Sequence, residues 1–278
     1  MVQCHNNVGM ARTIAPVLLL VAVAAAPSRA DPLTEVRAKY EIYARGLNVA
    51  ELGAEFGLGR SNYQMEITYS TTGLVGFLFR GHQLSTVQGA WQGSRALPLR
   101  FFGDGYWRGE PRRTLIDYDR GQPLIRTLVP PNDEEREPVP REMQANSIDT
   151  LSALALLMRR VQDTGTCEAQ VTTFDGRRLA EIAARTIGDE VLPPSGRSMF
   201  SGRALRCDFD GRQLAGFLRT ADPAELRRLQ HGSAWLASVV SGAPRIPVRI
   251  SFETRWFGAT TMYLAEAGPG REPAPAIR

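Results

Sequence analysis

From Val36 onward the chain alternates between apolar and polar positions. In VRAKYEIYARG, Val36, Ala38, Tyr40, Ile42 and Ala44 fall on one face, and Arg37, Lys39, Glu41, Tyr43 and Arg45 on the other. A period of two is the mark of a half-buried antiparallel strand. The pattern continues through LNVAELGAEFGLG, SNYQMEITYST, HQLSTVQGAWQ, LPLRFFGDGYW, RRTLIDYD and PLIRTLV. It resumes later in CEAQVTTF, RRLAEIAARTI, GRALRCDFDG, RIPVRISFETRW and GATTMYLAEA. Gly59-Arg60-Ser61-Asn62, Asp119-Arg120-Gly121 and Asp175-Gly176 read as the turns between strands.

Four stretches break the alternation. TTGLVGFLF, Thr71 to Phe79, is mostly apolar and carries two glycines. Leu74, Val75, Leu78 and Phe79 fall at the spacing of one short helical turn with an apolar face. Such a turn is a core plug, a lid over a ligand, or a partner patch. VPPNDEEREPVPREMQAN, residues 129–146, is rich in proline and acid and predicts a long, mobile surface loop. SIDTLSALALLMRRVQ predicts a helix capped by Ser147 or Asp149, with Leu151, Leu154, Ala155, Met158 and Val161 on one face. ADPAELRRLQ carries the start signal of a second helix, with Asp222 as cap, Pro223 in the first turn and Glu225 completing a capping box. A dozen strands are too many for a flat open sheet, so they curl or split to deal with their edges. The reading is a mainly β fold: an antiparallel meander curled into a barrel-like or spiral β-barrel, with one or two inserted helices.

The N-terminal segment changes the compartment. Arg12 precedes the uncharged run IAPVLLLVAVAAA, and Ser28 and Ala30 give a small-x-small cleavage pattern. The run is too short to span a bilayer. It predicts a signal peptide over 1–30, cut after Ala30, with Met10 an alternative start. One domain then covers 31–267, followed by a Gly/Pro-rich tail, 268–278, expected to be disordered. No later run is long enough for a membrane span, so the expected location is the periplasm. Cys167 and Cys207 remain after cleavage, an even count in an oxidising compartment, and are expected to pair. A loop of that length is worth roughly 4 kcal/mol in the chain-entropy account.

The formal net charge is +4, but Arg12 and Arg29 belong to the leader, which leaves the rest near neutral. That is no footprint for nucleic acid. Lys39 is the one lysine, and arginine supplies the other basic groups. His82 and His231 are the histidines beyond the leader, and no GxSxG, HExxH, P-loop or GxGxxG accompanies them. Asp117 and Asp119 form a carboxylate pair next to a turn, where acids are ordinary. Asp133, Glu134 and Glu135 lack the glycine turn and spacing of a calcium loop. Trp91, Trp107, Trp235 and Trp256 are scattered through strands and read as core or rim. No catalytic residue, metal ligand or cofactor is assigned.

YEIYARGLNVAEL, TTGLVGFLFR, LPLRFF, the DYD at 117–119, DTLSALALLMRR, DGRRL and RIPVRI together resemble an uncharacterised proteobacterial family of exported proteins, domain of unknown function 3108. The resemblance covers about Tyr40 to Ala265. It implies a periplasmic barrel or spiral barrel, similar in architecture to envelope-integrity proteins and half-barrel lipoprotein carriers. It carries over no catalytic residue. The functional expectation is an exported, non-catalytic barrel that supports envelope integrity. Its partner is a lipid or apolar small molecule, or an envelope protein. Two alternatives stand beside it: a hydrolase using His82 or the Asp117/Asp119 pair, and a purely structural interaction module.

Overall fold

A computed structural model of the chain describes Met1, residues 33–254 and residues 258–270, apart from the side chains of Asp133, Glu134, Pro223 and Thr254. The rest of the predicted leader, Trp256 and the last eight residues of the predicted tail lie outside the described residues.

The first part is a meander of β1 (Thr34–Ala44), β2 (Leu47–Leu58), β3 (Asn62–Thr71), β4 (Gly81–Gln92), β5 (Arg95–Trp107), β6 (Glu110–Asp119) and β7 (Gln122–Val129), with α1 (Gly73–Leu78) between β3 and β4. Two single turns follow, α2 (Asn132–Glu135) and α3 (Arg141–Gln144), and then the 15-residue α4 (Thr150–Thr164). The second part contains β8 (Ala169–Phe174), β9 (Leu179–Leu192), β10 (Gly202–Ala215), the short α5 (Pro223–Leu226), β11 (Gln230–Ala237), β12 (Ile246–Thr254) and β13 (Gly258–Pro269).

All thirteen strands form one antiparallel sheet in the order β7-β6-β5-β4-β3-β2-β1-β13-β12-β11-β10-β9-β8. The first and last strands meet at its centre: Val36 pairs with Pro269 and Ala44 with Thr260. The edges are β7 and β8, which are consecutive in the chain. They approach without a ladder between them, so the sheet is curled but not closed. A Cβ at Gly176, in the β8–β9 turn, would lie 3.1 Å from Thr114 and 3.3 Å from Leu128 on β6 and β7. Ile116, Val139, Phe174, Leu179 and Ala215 pack together across this gap.

The inner face carries the apolar half of the alternation, including Val36, Tyr40, Phe56, Met65, Val87, Leu236, Val248 and Leu264. Helix α4 lies against it and adds Leu151, Ala155, Met158 and Val161 to the same core. Each fully buried Val, Leu, Phe or Met side chain contributes about 1.5–3 kcal/mol. Asp149 is the cap, accepting from the Ser152 amide at 2.8 Å, and Gly165 ends the helix at φ 71. Cys167, just past α4, is bonded to Cys207 on the inner face of β10, with Cα atoms 5.8 Å apart. Tyr63 reaches the helix because Gly89 opposite it has no side chain; a Cβ there would fall 2.2 Å from the ring.

Several expectations on the irregular stretches change. Segment 129–146 is pinned across the sheet gap: the Glu137 amide donates to Phe217 at 2.9 Å and the Arg219 amide to Glu135 at 3.1 Å. Two edge strands would otherwise stay uncovered there. The second predicted helix is the single turn α5, because Gln230 already pairs with Gly211 in the β10–β11 ladder. Strand β13 runs on to Pro269, into the predicted tail, and Gly270 N donates to Glu35 at 2.9 Å. Among the described residues no helix is long and apolar enough to cross a membrane.

Candidate functional site

The strand registers place the β1–β2, β5–β6, β8–β9 and β10–β11 connections and α1 at one end of the curl, here called the mouth. A cavity of about 780 Å³ opens there, within the size range of small-molecule sites. Its wall is the inner face of β8, β9 and β10, through Thr173, Ala180, Ile182, Gly211 and Gln213. Thr150, the first residue of α4, lies at its floor, and Leu218, Ala221 and Leu226 line it from the β10–β11 connection. The small residues Thr173, Ala180 and Gly211 leave this space. A Cβ at Gly211 would meet nothing within 4 Å.

Charge enters from the sheet gap. Asp175 accepts from the amides of Arg177 and Arg178, at 2.9 and 2.7 Å, and from the Arg178 guanidinium at 2.7 Å. Burial pushes its carboxyl up, but Arg178 and these amides outweigh burial and hold it below the ordinary range. The pair fixes Arg178 on the cavity wall. Arg136 comes from the pinned segment. Its Nη1 donates to Gly216 at 3.0 Å, while its Nε is buried with no hydrogen-bond partner. Arg177 donates from Nη2 to Pro130 at 2.8 Å, and its Nη1 is likewise buried and unpartnered. Burial lowers both guanidinium pKa values; Arg178 acts further on Arg136, and Arg112 on Arg177. Arg112 itself is spent in a bidentate pair with Glu135, at 2.9 and 3.0 Å, which holds that carboxyl low. Four arginines thus share this corner with Glu135 and Asp175. The arrangement suits an anion with an apolar extension, since unpaired buried donors are costly until an acceptor reaches them.

The residues singled out in the sequence lie elsewhere. Leu74, Val75, Leu78 and Phe79 form α1 and its C-cap at the mouth. None is buried, so they do not plug the core, and none of them lines the cavity on β8–β10. His82 Nδ1 lies 2.9 Å from Ser70 Oγ, and among the described residues no carboxylate is hydrogen-bonded to that ring. His231 is paired with Asp210, on a different part of the sheet, without a hydroxyl partner among the described residues. The two halves of a triad are therefore present but apart. Asp117 is held by Arg100 and Arg126, which keep it low, and Asp119 is exposed beside Arg120. Trp235 is buried on the outer face between Arg206 and Arg249, and Trp91 packs on Tyr63 at 4.5 Å. Among the described residues no three His, Cys, Asp or Glu side chains are grouped to hold a metal.

Residues 39–265 match the family model described as protein of unknown function, DUF3108. No curated protein matches the chain. Among solved structures, the chain is similar to a β-barrel-like protein of domain of unknown function DUF1849 from Brucella abortus, with 12% identity and a TM-score of 0.54. The match covers 87% of this chain and 100% of that one, and it shows a shared fold.

Proposed function

The chain belongs to the DUF3108 family of proteins of unknown function, and on that footing we propose that it is an exported, periplasmic binding protein for an anionic amphiphile. Its ligand has an apolar chain and an acidic head and sits in the mouth cavity. The observation that carries this reading is the two-part lining. Ile182, Leu218 and Leu226 offer an apolar wall, while Arg136, whose own Nε is buried and unpartnered, and Arg178, paired with Asp175, stand in a charged part of the lining that also holds Arg212, Glu225 and Glu253. The leader read from the sequence and the Cys167–Cys207 bond support export to an oxidising compartment. The cell envelope supplies such ligands in quantity, so a role in envelope maintenance follows from the same reading.

The test uses a fluorescent long-chain carboxylate, the matching long-chain alcohol, and two variants. The wild-type chain should bind the carboxylate and bind the alcohol at least about tenfold more weakly. Gly211→Leu should fill the cavity and abolish binding while the melting temperature stays nearly unchanged. Arg178→Gln should bring carboxylate affinity down towards that of the alcohol. Undiminished binding by Gly211→Leu would remove the cavity from the account.

A further inference from the structure

Helix α1 presents an apolar surface that no part of the described molecule covers. Leu74, Phe77 and Leu78 keep 67%, 83% and 58% of their surface exposed. Leu47, from the adjoining β1–β2 hairpin, is exposed as well. So is Tyr106, which lies in the same shallow hollow as Phe77 and Leu78.

One turn of helix is not stable by propagation, so something else holds it. The Thr72 amide donates to Val49 at 3.1 Å, and Thr72 Oγ1 donates to Asn48 Oδ1 at 2.6 Å. Thr71 Oγ1 donates to Phe79 at 3.1 Å and accepts from the Gly81 amide at 2.9 Å. Gly73 takes φ +56, which a side chain disfavours. A Cβ at Gly76 would stand 2.8 Å from the Thr71 carbonyl oxygen. The glycines therefore let the turn fold tightly onto the end of β3. The side chains that remain point to solvent from a fixed base.

Cations flank them. Arg80 and Arg108 are exposed, and among the described residues neither is in an ion pair. The Arg108 guanidinium lies 4.6 Å over the Phe79 ring. Arg45, at the tip of the β1–β2 hairpin, is exposed on the same end. Insertion of a few large apolar side chains beside arginines is enough for interfacial binding to anionic lipid.

We propose that α1, with Arg80 and Arg108, docks this end of the molecule on the surface of an anionic lipid bilayer. The inference stands on the exposed apolar turn and its cations, independently of the cavity. The experiment is co-sedimentation of the full chain with vesicles of equal phosphatidylglycerol and phosphatidylcholine, and with phosphatidylcholine alone. The wild type should bind the anionic vesicles and bind the neutral ones at least about tenfold more weakly, with the difference shrinking at high salt. Phe77→Ser with Leu78→Ser should lower binding about tenfold or more. Arg80→Gln with Arg108→Gln should erase the preference for anionic vesicles. Ile187→Ser with Val191→Ser, exposed apolar side chains of β9, should bind as the wild type does. Vesicle binding that survives the Phe77/Leu78 change, or that ignores lipid charge, would overturn the proposal and leave a protein partner for the patch. Vesicle docking without uptake of the carboxylate probe would uphold it and remove only the cavity reading.

Discussion

Asp149 accepts both the amide and the hydroxyl hydrogen of Ser152 from inside the curl, where no solvent reaches it. Tyr63 in turn lies 2.7 Å from the Ser152 hydroxyl, which is already donating to Asp149, so Tyr63 is the donor in that contact. Burial pushes the Asp149 carboxyl up to about 6, and these hydrogen bonds only partly offset it. Its folded pKa therefore exceeds the unfolded one, about 3.9. The stability linked to its proton is fully present below about pH 4 and is lost as pH rises through about 6. Between pH 7.5 and pH 5 the chain should gain about 1 kcal/mol from this group. Urea melts at the two pH values will show it, and Asp149→Asn should flatten the difference. A melt equally stable at both values would mean that the carboxyl titrates in its ordinary range. The capping role was legible, since Ser147 or Asp149 precedes the apolar spacing. The burial was not, because Tyr63 belongs to a strand far away in the chain. The same holds for the cavity. The β9–β10 ladder brings Arg178 near Gly211, but Arg136 joins them only because the segment after β7 crosses to the β10–β11 connection, and no local pattern encodes that. In TTGLVGFLF the apolar turn was legible, but its direction depends on how Gly73 and Gly76 seat it against Thr71.

Helix α4 and the strands around it obey the sequence pattern closely. The period of two gives their inner faces, and Leu151, Ala155, Met158 and Val161 are buried at helical spacing. The paired cysteines were legible as well. What the bond joins was not: it ties the exit of α4 to β10, over the intervening β9. The double variant Cys167→Ala, Cys207→Ala should lose about 2–4 kcal/mol of stability, and thiol reduction of the wild type should cost the same. Denaturant melts of the three samples check this. Equal loss on reduction and on substitution assigns the effect to the bond. A larger loss on substitution would point to packing, since both residues are fully buried. Segment 129–146 shows where composition misleads. Its acids and prolines look like solvated loop, yet Val139 is buried and Glu135 is clamped by Arg112. The reason lies in the sheet, whose two edges need a cover at that place.

The whole sheet consists of two meanders, β1–β7 and β8–β13, joined along β1 and β13. Two features could govern how it opens. The seam is long and lies at the sheet's centre, running from Val36–Pro269 to Ala44–Thr260. The edges are weaker, since β7 and β8 each have one ladder neighbour, and β8 has only six residues. The core favours opening from the edges. Val36, Phe56, Met65 and Val87 of the first meander share one cluster with Leu205, Ala234, Leu236 and Val248 of the second, and α4 packs within it. Splitting the seam would expose all of these together, whereas fraying β7 or β8 exposes few. Native-state hydrogen exchange should therefore show the fastest strand amides in β7 and β8. The slowest should lie in β1, β2 and β13, with the buried turns of α4 close behind. Denaturant should then bring the slow amides of both meanders into one common opening. If the β1–β13 amides exchange before those at the edges, the meanders unfold as separate units. The Cys167–Cys207 bond would then stabilise the second meander alone, and the double cysteine variant would leave the exchange of β1–β7 unchanged.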